Sequence, residues 1–293
     1  MTKILLYAGI GFITILTICI VLLYSKGDSL GKRQRIIAQL SEYRDRLRSN
    51  PADTQALHAI IAMLEDDSAF ARRSAAGMLG EIGLPGVKAV SVLASALGSE
   101  DDFLANEAAS SLCSLGTNAS GAIPELISAL KRGNCSTACY SAKALGKIRL
   151  KPEIVVPALV QCLDVHDLDH LYGDPGVELA FEAADALAQY GSDATVAIPE
   201  LKRRLVHPNS TFRLHLAIAI VSISAQDVEA LQIVTDYIYD KKMNSKTLFC
   251  LAKAGANAKV AVPVLEKYVN NPALAPNVRE HAIDTLNQLK KGQ

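Results

Sequence analysis

The chain has 293 residues, enough for two ordinary domains or one elongated array. Its residues are 50% hydrophobic but only 5% aromatic, without Trp, a composition that favours closely packed helices over a β-sandwich. The formal net charge is zero, and residues 51–293 carry 22 basic against 27 acidic groups. This part of the chain therefore lacks the basic excess that general nucleic-acid binding needs.

The first predicted element is a transmembrane helix at residues 4–24. These 21 residues carry no charge and would span about 31 Å as a helix. A cleaved signal peptide is the alternative, but no small-x-small cleavage site precedes Lys26. Residues 26–50 hold seven basic against three acidic groups, so the positive-inside rule predicts a single-pass membrane protein with its following domain in the cytoplasm.

The second predicted element is a basic juxtamembrane helix within a linker at residues 25–50. Apolar residues recur at helical spacing, at Ile36, Ile37, Leu40, Tyr43 and Leu47. We expect this helix to pack onto the domain that follows, and a short self-associating stalk is the alternative. The dipeptide at residues 50–51, Asn-Pro, ends the helix, and Asp53 or Thr54 can cap the next one.

A short apolar segment then recurs along the chain, as in Leu79–Gly83, Leu112–Gly116 and Leu187–Gly191. Its endpoints fall at residues 83, 116, 149, 191, 224, 255 and 290, so the commonest spacing is 33 residues. Small residues stand seven and eight positions before the endpoints, as at Ala75 and Ala76. The pattern predicts a helix, which we call helix B, that ends at each endpoint and packs closely on its neighbours.

Proline marks a second helix, helix A, in four repeats. Pro124, Pro157, Pro199 and Pro263 each stand eight residues after an endpoint. Proline suits the first turn of a helix, where its missing N–H has no intrahelical partner. We therefore expect helix A to begin near each of these prolines.

The two signatures together resemble HEAT repeats, particularly the short bacterial kind seen in phycobilisome-lyase-like proteins. The resemblance rests on Ala-Ile-Pro-x-Leu at the start of helix A and Arg-x-x-Ala-Ala/Ile-x-x-Leu-Gly in helix B, with Arg72, Arg213 and Arg279 as the arginines. It covers residues 52–290. It implies an all-α fold, an α-solenoid of about seven HEAT-like helix pairs preceded by the one transmembrane helix.

In such solenoids helix B lines the concave face, which makes its polar stripe the candidate binding surface. Positions nine, six and two before each endpoint lie on one side of the helix. We interpret the stripe as a mixed-charge groove for a protein partner, with an ordinary solvated face as the alternative. Its polar members are Glu107, Tyr140, Lys143, Lys147, Glu182, Asp185, Gln189, His215, Lys246, Lys253, His281 and Asp284.

The fourth repeat is nine residues longer than the usual 33, and the extra length falls near residues 164–176. Insertions of this kind emerge as loops, often on the binding face. We include four of its side chains among the candidate partner-binding residues, with a metal site or a plain solvated loop as alternatives. They are His166, Asp167, Asp169 and His170.

No catalytic motif stands out, and we expect the chain not to be an enzyme and to need no metal or cofactor. Cys135 and Cys139 are four residues apart and can share a helix face, but we interpret the cysteines as reduced, mostly buried, small apolar residues rather than as a metal or redox pair. The pattern as a whole predicts a membrane-tethered protein–protein interaction scaffold. We expect it to bind protein and, through residues 4–24, the membrane, but neither nucleic acid nor a small molecule. The alternatives are an accessory subunit of a larger membrane complex and a lyase- or chaperone-like factor of the bilin-lyase type.

Overall fold

The computed structural model describes residues 28–83, 87–131, 135–164, 175–207, 210–239, 248, 261–270 and 276–291. Every regular element within these ranges is a helix, which confirms the all-α prediction. The chain divides into two compact units, and the division falls between Leu115 and Gly116.

In its described residues, the first unit contains two helix pairs and one preceding helix. Its helices are α1 (Leu30–Ser49), α2 (Thr54–Ala62), α3 (Ala69–Ile82), α4 (Val87–Ala96) and α5 (Asp102–Leu115). Helices α2 and α3 form one pair, and α4 and α5 form the next. The two B helices, α3 and α5, pack against each other, and α1 packs on α3 in the same way.

Helix α1 confirms the helix predicted before the repeats. Ser29 caps its start by accepting a hydrogen bond from the Lys32 amide at 3.3 Å. Ile36, Leu40 and Leu47 are buried against α2 and α3. This apolar face is covered within the unit, as expected for a helix that packs onto the first repeat. The predicted domain boundary near residue 51 stays a prediction.

The second unit continues the alternation of short A helices and longer B helices. Two 3₁₀ segments, Gly116–Ala122 and Gly191–Ala197, lead into helices α6 and α10. The B helices α7, α9 and α11 stack on one another in chain order. The helix expected near residues 246–255 falls outside the described residues, and α12 precedes it. The helices are α6 (Ile123–Ala129), α7 (Cys135–Ile148), α8 (Pro152–Gln161), α9 (Pro175–Tyr190), α10 (Ile198–Arg203), α11 (Ser210–Ile223), α12 (Val228–Tyr239), α13 (Val262–Val269) and α14 (Pro276–Lys291).

The predicted endpoints of helix B agree closely with the structure. Helices α3, α5, α7, α9 and α11 each end one residue before an endpoint. Three endpoint residues are glycines with positive φ, namely Gly83 at 69°, Gly116 at 56° and Gly191 at 56°. Glycine adopts this left-handed conformation without a Cβ clash, and it is the usual residue after a helix C-terminus. The recurring glycine is therefore a helix stop signal.

The glycine three residues before an endpoint has a different role, because it lets successive B helices touch. A Cβ added to Gly80 would lie 2.7 Å from the Ser111 Cα, and one added to Gly146 would lie 2.9 Å from the Ala186 Cα. Both distances are too short for real atoms. The Ser111 hydroxyl donates a 2.7 Å hydrogen bond to the Ala76 carbonyl across the first of these contacts. The B helices thus pack nearly backbone to backbone.

The prolines mark the start of helix A at three of the four predicted sites. Pro124, Pro199 and Pro263 are each the second residue of their helix. The prediction is wrong at Pro157, which lies inside α8, because that helix begins five residues earlier at Pro152. Pro152 is suited to the first position of a helix. The residues before Pro157 are therefore α-helical, whereas the corresponding residues before α6 and α10 form 3₁₀ segments.

The membrane prediction requires a correction. The predicted transmembrane helix at residues 4–24 lies outside the described residues. In the part of the chain that the structure describes, no helix combines the length and the apolar character needed to cross a membrane. The prediction of a single-pass membrane protein with a cytoplasmic solenoid is therefore not supported, and neither is membrane binding.

Candidate functional site

Seven of the predicted site residues lie on three stacked helices of the second unit. Because α7, α9 and α11 pack side by side, residues from three repeats form one surface, which we call the B-helix face. Contacts between neighbouring B helices on this face follow one rule. The residue six positions before the endpoint of one repeat contacts the residue nine positions before the endpoint of the next repeat. The seven residues are Tyr140, Lys143 and Lys147 on α7, Glu182, Asp185 and Gln189 on α9, and His215 on α11.

The first contact joins α7 to α9 by an ion pair. The Lys143 Nζ lies 3.0 Å from a Glu182 carboxylate oxygen and 5.6 Å from the centre of the Tyr140 ring. Partial burial by itself would lower the pKa of Lys143, but the hydrogen bond and charge of Glu182 outweigh it, so this pKa stands above its ordinary value. The ammonium group therefore stays charged at neutral pH.

The second contact joins α9 to α11. The Nδ1 atom of His215 lies 3.2 Å from an Asp185 carboxylate oxygen. The His215 ring also packs on Phe181, with ring centres 4.6 Å apart, and Phe181 in turn contacts Phe212 at 5.6 Å. The imidazole is thus held on one side by a carboxylate and on the other by an aromatic ring.

A cleft of about 390 Å³ opens beside the first contact, between α7 and α9. Polar groups of both signs surround it, and Phe181 contributes an apolar surface. Tyr140 is 37% exposed at its edge, and large, partly exposed tyrosines are common anchors in protein interfaces. The lining residues are Ser136, Cys139, Tyr140, Lys143, Glu178, Phe181 and Glu182.

Two thiols and a carboxylate meet at one end of this cleft. The Sγ atoms of Cys135 and Cys139 are 3.6 Å apart, and a Glu178 carboxylate oxygen lies within 4.8 Å of both. Burial raises the pKa of the Cys139 thiol well above its ordinary value, and Cys135 and nearby acidic groups raise it further. The spacing of the two cysteines predicts their shared helix face, whereas Glu178 belongs to the next repeat and no local pattern indicates it.

Nine other predicted site residues are not among the seven that define the B-helix face. His166, Asp167, Asp169, His170, Lys246 and Lys253 lie outside the described residues. Glu107 belongs to the first unit, where its carboxylate packs against Gly77. His281 and Asp284 are exposed on α14.

Comparison with known proteins agrees with this architecture. Residues 24–113 match the family described as HEAT repeats. Comparison with curated proteins gives no match.

Solved structures extend the likeness along the chain. The complex of CpcE and CpcF of phycocyanin lyase from Nostoc sp. PCC7120 is 24% identical, with 78% of this chain and 93% of that chain covered and a TM-score of 0.55. An archaeal HEAT-like repeats protein from Thermococcus onnurineus NA1 is 14% identical, with coverage of 92% and 99% and a TM-score of 0.44. A designed armadillo repeat protein is 18% identical, with coverage of 79% and 98% and a TM-score of 0.44. The first likeness establishes the fold alone, and it confirms the predicted repeat, solenoid-like fold.

Proposed function

We propose that this chain is a protein-binding scaffold that docks its partner on the B-helix face. The observation that carries the proposal is the convergence of polar side chains from three successive repeats on one face, with a cleft between the first two of these repeats. Tyr140 supplies an exposed aromatic edge, and Lys143, Glu182 and Asp185 supply charges of both signs. A mixed-charge surface with an aromatic anchor favours a protein segment over a nucleic-acid backbone.

Binding rather than catalysis is the role that these groups suit. The raised pKa of Cys139 leaves little thiolate at neutral pH, and the thiolate is the nucleophilic form. The raised pKa of Lys143 keeps that amine protonated, so it cannot act as a base or nucleophile. Lys143 can still bind a partner through its charge.

Site-specific photocrosslinking in the native host tests the proposal. A photoreactive residue at Tyr140 or Gln189, both exposed, is expected to capture one protein species in high yield. The same residue at Lys88, an exposed position on α4 of the first unit, serves as the matched control. Equal capture at all three positions would contradict docking on the B-helix face.

Charge reversal supplies a second arm of this experiment. Lys143→Glu places two carboxylates together at Glu182, so crosslinking from Gln189 is expected to fall at least about tenfold, which corresponds to about 1.4 kcal/mol. Lys88→Glu changes the net charge equally and is expected to leave the yield unchanged. Adding Glu182→Lys to Lys143→Glu restores the ion pair with reversed polarity. If this double variant folds normally but crosslinking does not recover, the partner recognises the sign of the charge at these two positions.

A lyase- or chaperone-like accessory factor is the second candidate, and the cleft beside Cys139 is the observation in its favour. A factor of this kind handles a small ligand, so a purified chain that carries a stoichiometric visible chromophore would replace the scaffold proposal. The scaffold proposal predicts a featureless visible spectrum. Absorption spectroscopy of the untagged protein from the native host decides between the two.

A further inference from the structure

The two thiols and the carboxylate at the end of the cleft form a compact group of metal-ligating atoms. Cys135 is the first residue of α7, and Glu178 lies in the first turn of α9. Helix N-termini carry partial positive charge, which stabilises thiolates and carboxylates. We propose that Cys135, Cys139 and Glu178 bind one zinc ion. The proposal does not depend on the docking role of the B-helix face.

A disulfide is the obvious alternative for Cys135 and Cys139, and helix geometry opposes it. Residues four apart on an α-helix have Cβ atoms about 5–6 Å apart. A disulfide needs a Cβ separation of about 3.5–4.5 Å. Oxidation would therefore distort the first turn of α7, whereas a metal bridges the thiolates without moving the backbone.

The separation of the sulfurs suits a tetrahedral zinc centre. Zn–S bonds of about 2.3 Å at tetrahedral angles place two sulfurs about 3.8 Å apart. The observed distance between the Sγ atoms is 3.6 Å. A Glu178 carboxylate oxygen lies within 4.8 Å of both sulfurs, so the three ligand atoms are close enough to share one ion.

The donor set selects the class of metal. Two thiolates with one carboxylate favour zinc over magnesium or calcium, which prefer ligand sets made only of oxygen. Two thiolates and one carboxylate around Zn²⁺ give the centre a net charge of −1. The positively charged Lys143 side chain lines the same cleft. Because Cys139 and Glu178 also line the cleft, the fourth coordination position opens into it and takes a water molecule.

Cobalt substitution of the untagged full chain under reducing conditions tests the site. We expect one equivalent of Co²⁺ to give thiolate-to-metal charge-transfer absorption and the visible bands of a tetrahedral centre. One equivalent of Zn²⁺ is expected to abolish both. Absence of the charge-transfer band in the folded, reduced protein would overturn the proposal.

Variants assign the ligands. Loss of an outer-sphere partner typically weakens metal binding about 10–100-fold, so removal of a thiolate in Cys135→Ser or Cys139→Ser is expected to cost at least about 100-fold. Glu178→Gln keeps the shape of the side chain and is expected to cost at least about tenfold. Cys162→Ser is the matched control, because Cys162 directly follows α8 and its thiol donates a hydrogen bond to the Ala158 carbonyl at 3.4 Å. Unchanged Zn²⁺ affinity in either thiol variant, or a similar loss in Cys162→Ser, would refute the assignment.

Alkylation of the unaltered chain provides a measurement that does not rely on folded variants. Cys135 is only partly buried, so it is expected to react with a maleimide in the metal-free protein. One equivalent of Zn²⁺ is expected to slow its modification at least about tenfold, with mass spectrometry used to locate the label. Addition of Mg²⁺ is expected to have no effect. Equal rates with and without Zn²⁺ would count decisively against the site.

Discussion

Arg149 has a left-handed backbone conformation, and glycine has this conformation at the corresponding position of three other repeats. Its φ is 51°, and it follows α7 just as Gly83, Gly116 and Gly191 follow their helices. The left-handed region costs a residue with a Cβ about 1–2 kcal/mol. The end of α7 therefore carries a strain that the other three helix ends avoid.

Replacement of Arg149 by glycine is expected to stabilise the protein. Relief of the strain exceeds the extra chain entropy that glycine loses on folding, so we expect a net gain of about 0.5–1 kcal/mol in the free energy of unfolding. Gly83→Ala is the reverse control, because a Cβ there meets nothing within 4 Å and only the positive φ opposes it. It is expected to cost about 1 kcal/mol. Urea denaturation measures both, and destabilisation by Arg149→Gly would contradict the argument.

Glu107 makes the first unit sensitive to pH. Its carboxylate packs beside Gly77 on α3, and burial raises the pKa of Glu107 above its ordinary value of 4.5. The folded state therefore binds this proton more tightly than the unfolded state does. Because protonation is linked to folding, Glu107 contributes most to stability at pH values below its pKa in the unfolded state. This contribution is lost as the pH rises through its higher pKa in the folded state.

The Glu107→Gln variant is expected to lose this pH dependence. Wild-type stability falls relative to the variant as pH rises from about 4.5, and the difference becomes constant above the folded pKa. Urea denaturation of the two proteins between pH 4 and pH 8 measures the difference. A difference that stays constant across this range would show that Glu107 titrates alike in the folded and unfolded states.

At the scale of the helices, close approach between successive B helices is the main packing feature. Gly146 on α7 meets Ala186 on α9, and Gly80 on α3 meets Ser111 on α5. The two contacts use equivalent positions in their repeats. The glycine three residues before an endpoint thus allows close packing between helices. The glycine at the endpoint instead allows the left-handed backbone conformation that ends a helix.

Adding one methyl group at Gly146 is expected to destabilise the second unit. The Cβ of Gly146→Ala would lie 2.9 Å from the Ala186 Cα, which forces the two helices apart. Overpacking of this kind costs about 1–3 kcal/mol, more than the better helix propensity of alanine returns. Gly31→Ala in α1 meets nothing within 4 Å and is expected to be neutral or slightly stabilising. Thermal unfolding compares them, and an equal or higher melting temperature for Gly146→Ala would refute the close contact.

The elements also show where local sequence patterns mislead. Proline marked the start of α6, α10 and α13 correctly, and 3₁₀ segments precede α6 and α10. Pro157 fits the same pattern but stands within α8, since Pro152 starts the helix earlier. A proline is compatible with either position near a helix N-terminus, so its spacing could not choose between them.

At the scale of the whole molecule, stability is expected to follow the stack of B helices. Residues of α7, α9 and α11 are buried against neighbouring B helices and against their own A helices, whereas α10 has only six residues. Amides of these three B helices are therefore expected to exchange with solvent more slowly than those of α10. Hydrogen exchange followed by mass spectrometry measures this order. Uniform exchange over residues 116–239 would indicate that the second unit opens only as a whole.

The sequence by itself determined the repeat, its register and the all-α class. Glycine after a helix, proline near its start and paired small residues within it act over a few positions, so they can be recognised without a fold. The same local reasoning predicted the polar stripe of helix B, although not which of its residues meet.

Only the tertiary structure determined which of these side chains contact one another. The pairing of Lys143 with Glu182, and of Glu178 with the two cysteines, depends on how far α9 is shifted along α7. That shift is set by the contact between Gly146 and Ala186, which lie 40 residues apart in the chain. A helical pattern specifies which side of a helix a residue occupies, but the packing of one helix against the next specifies its neighbours.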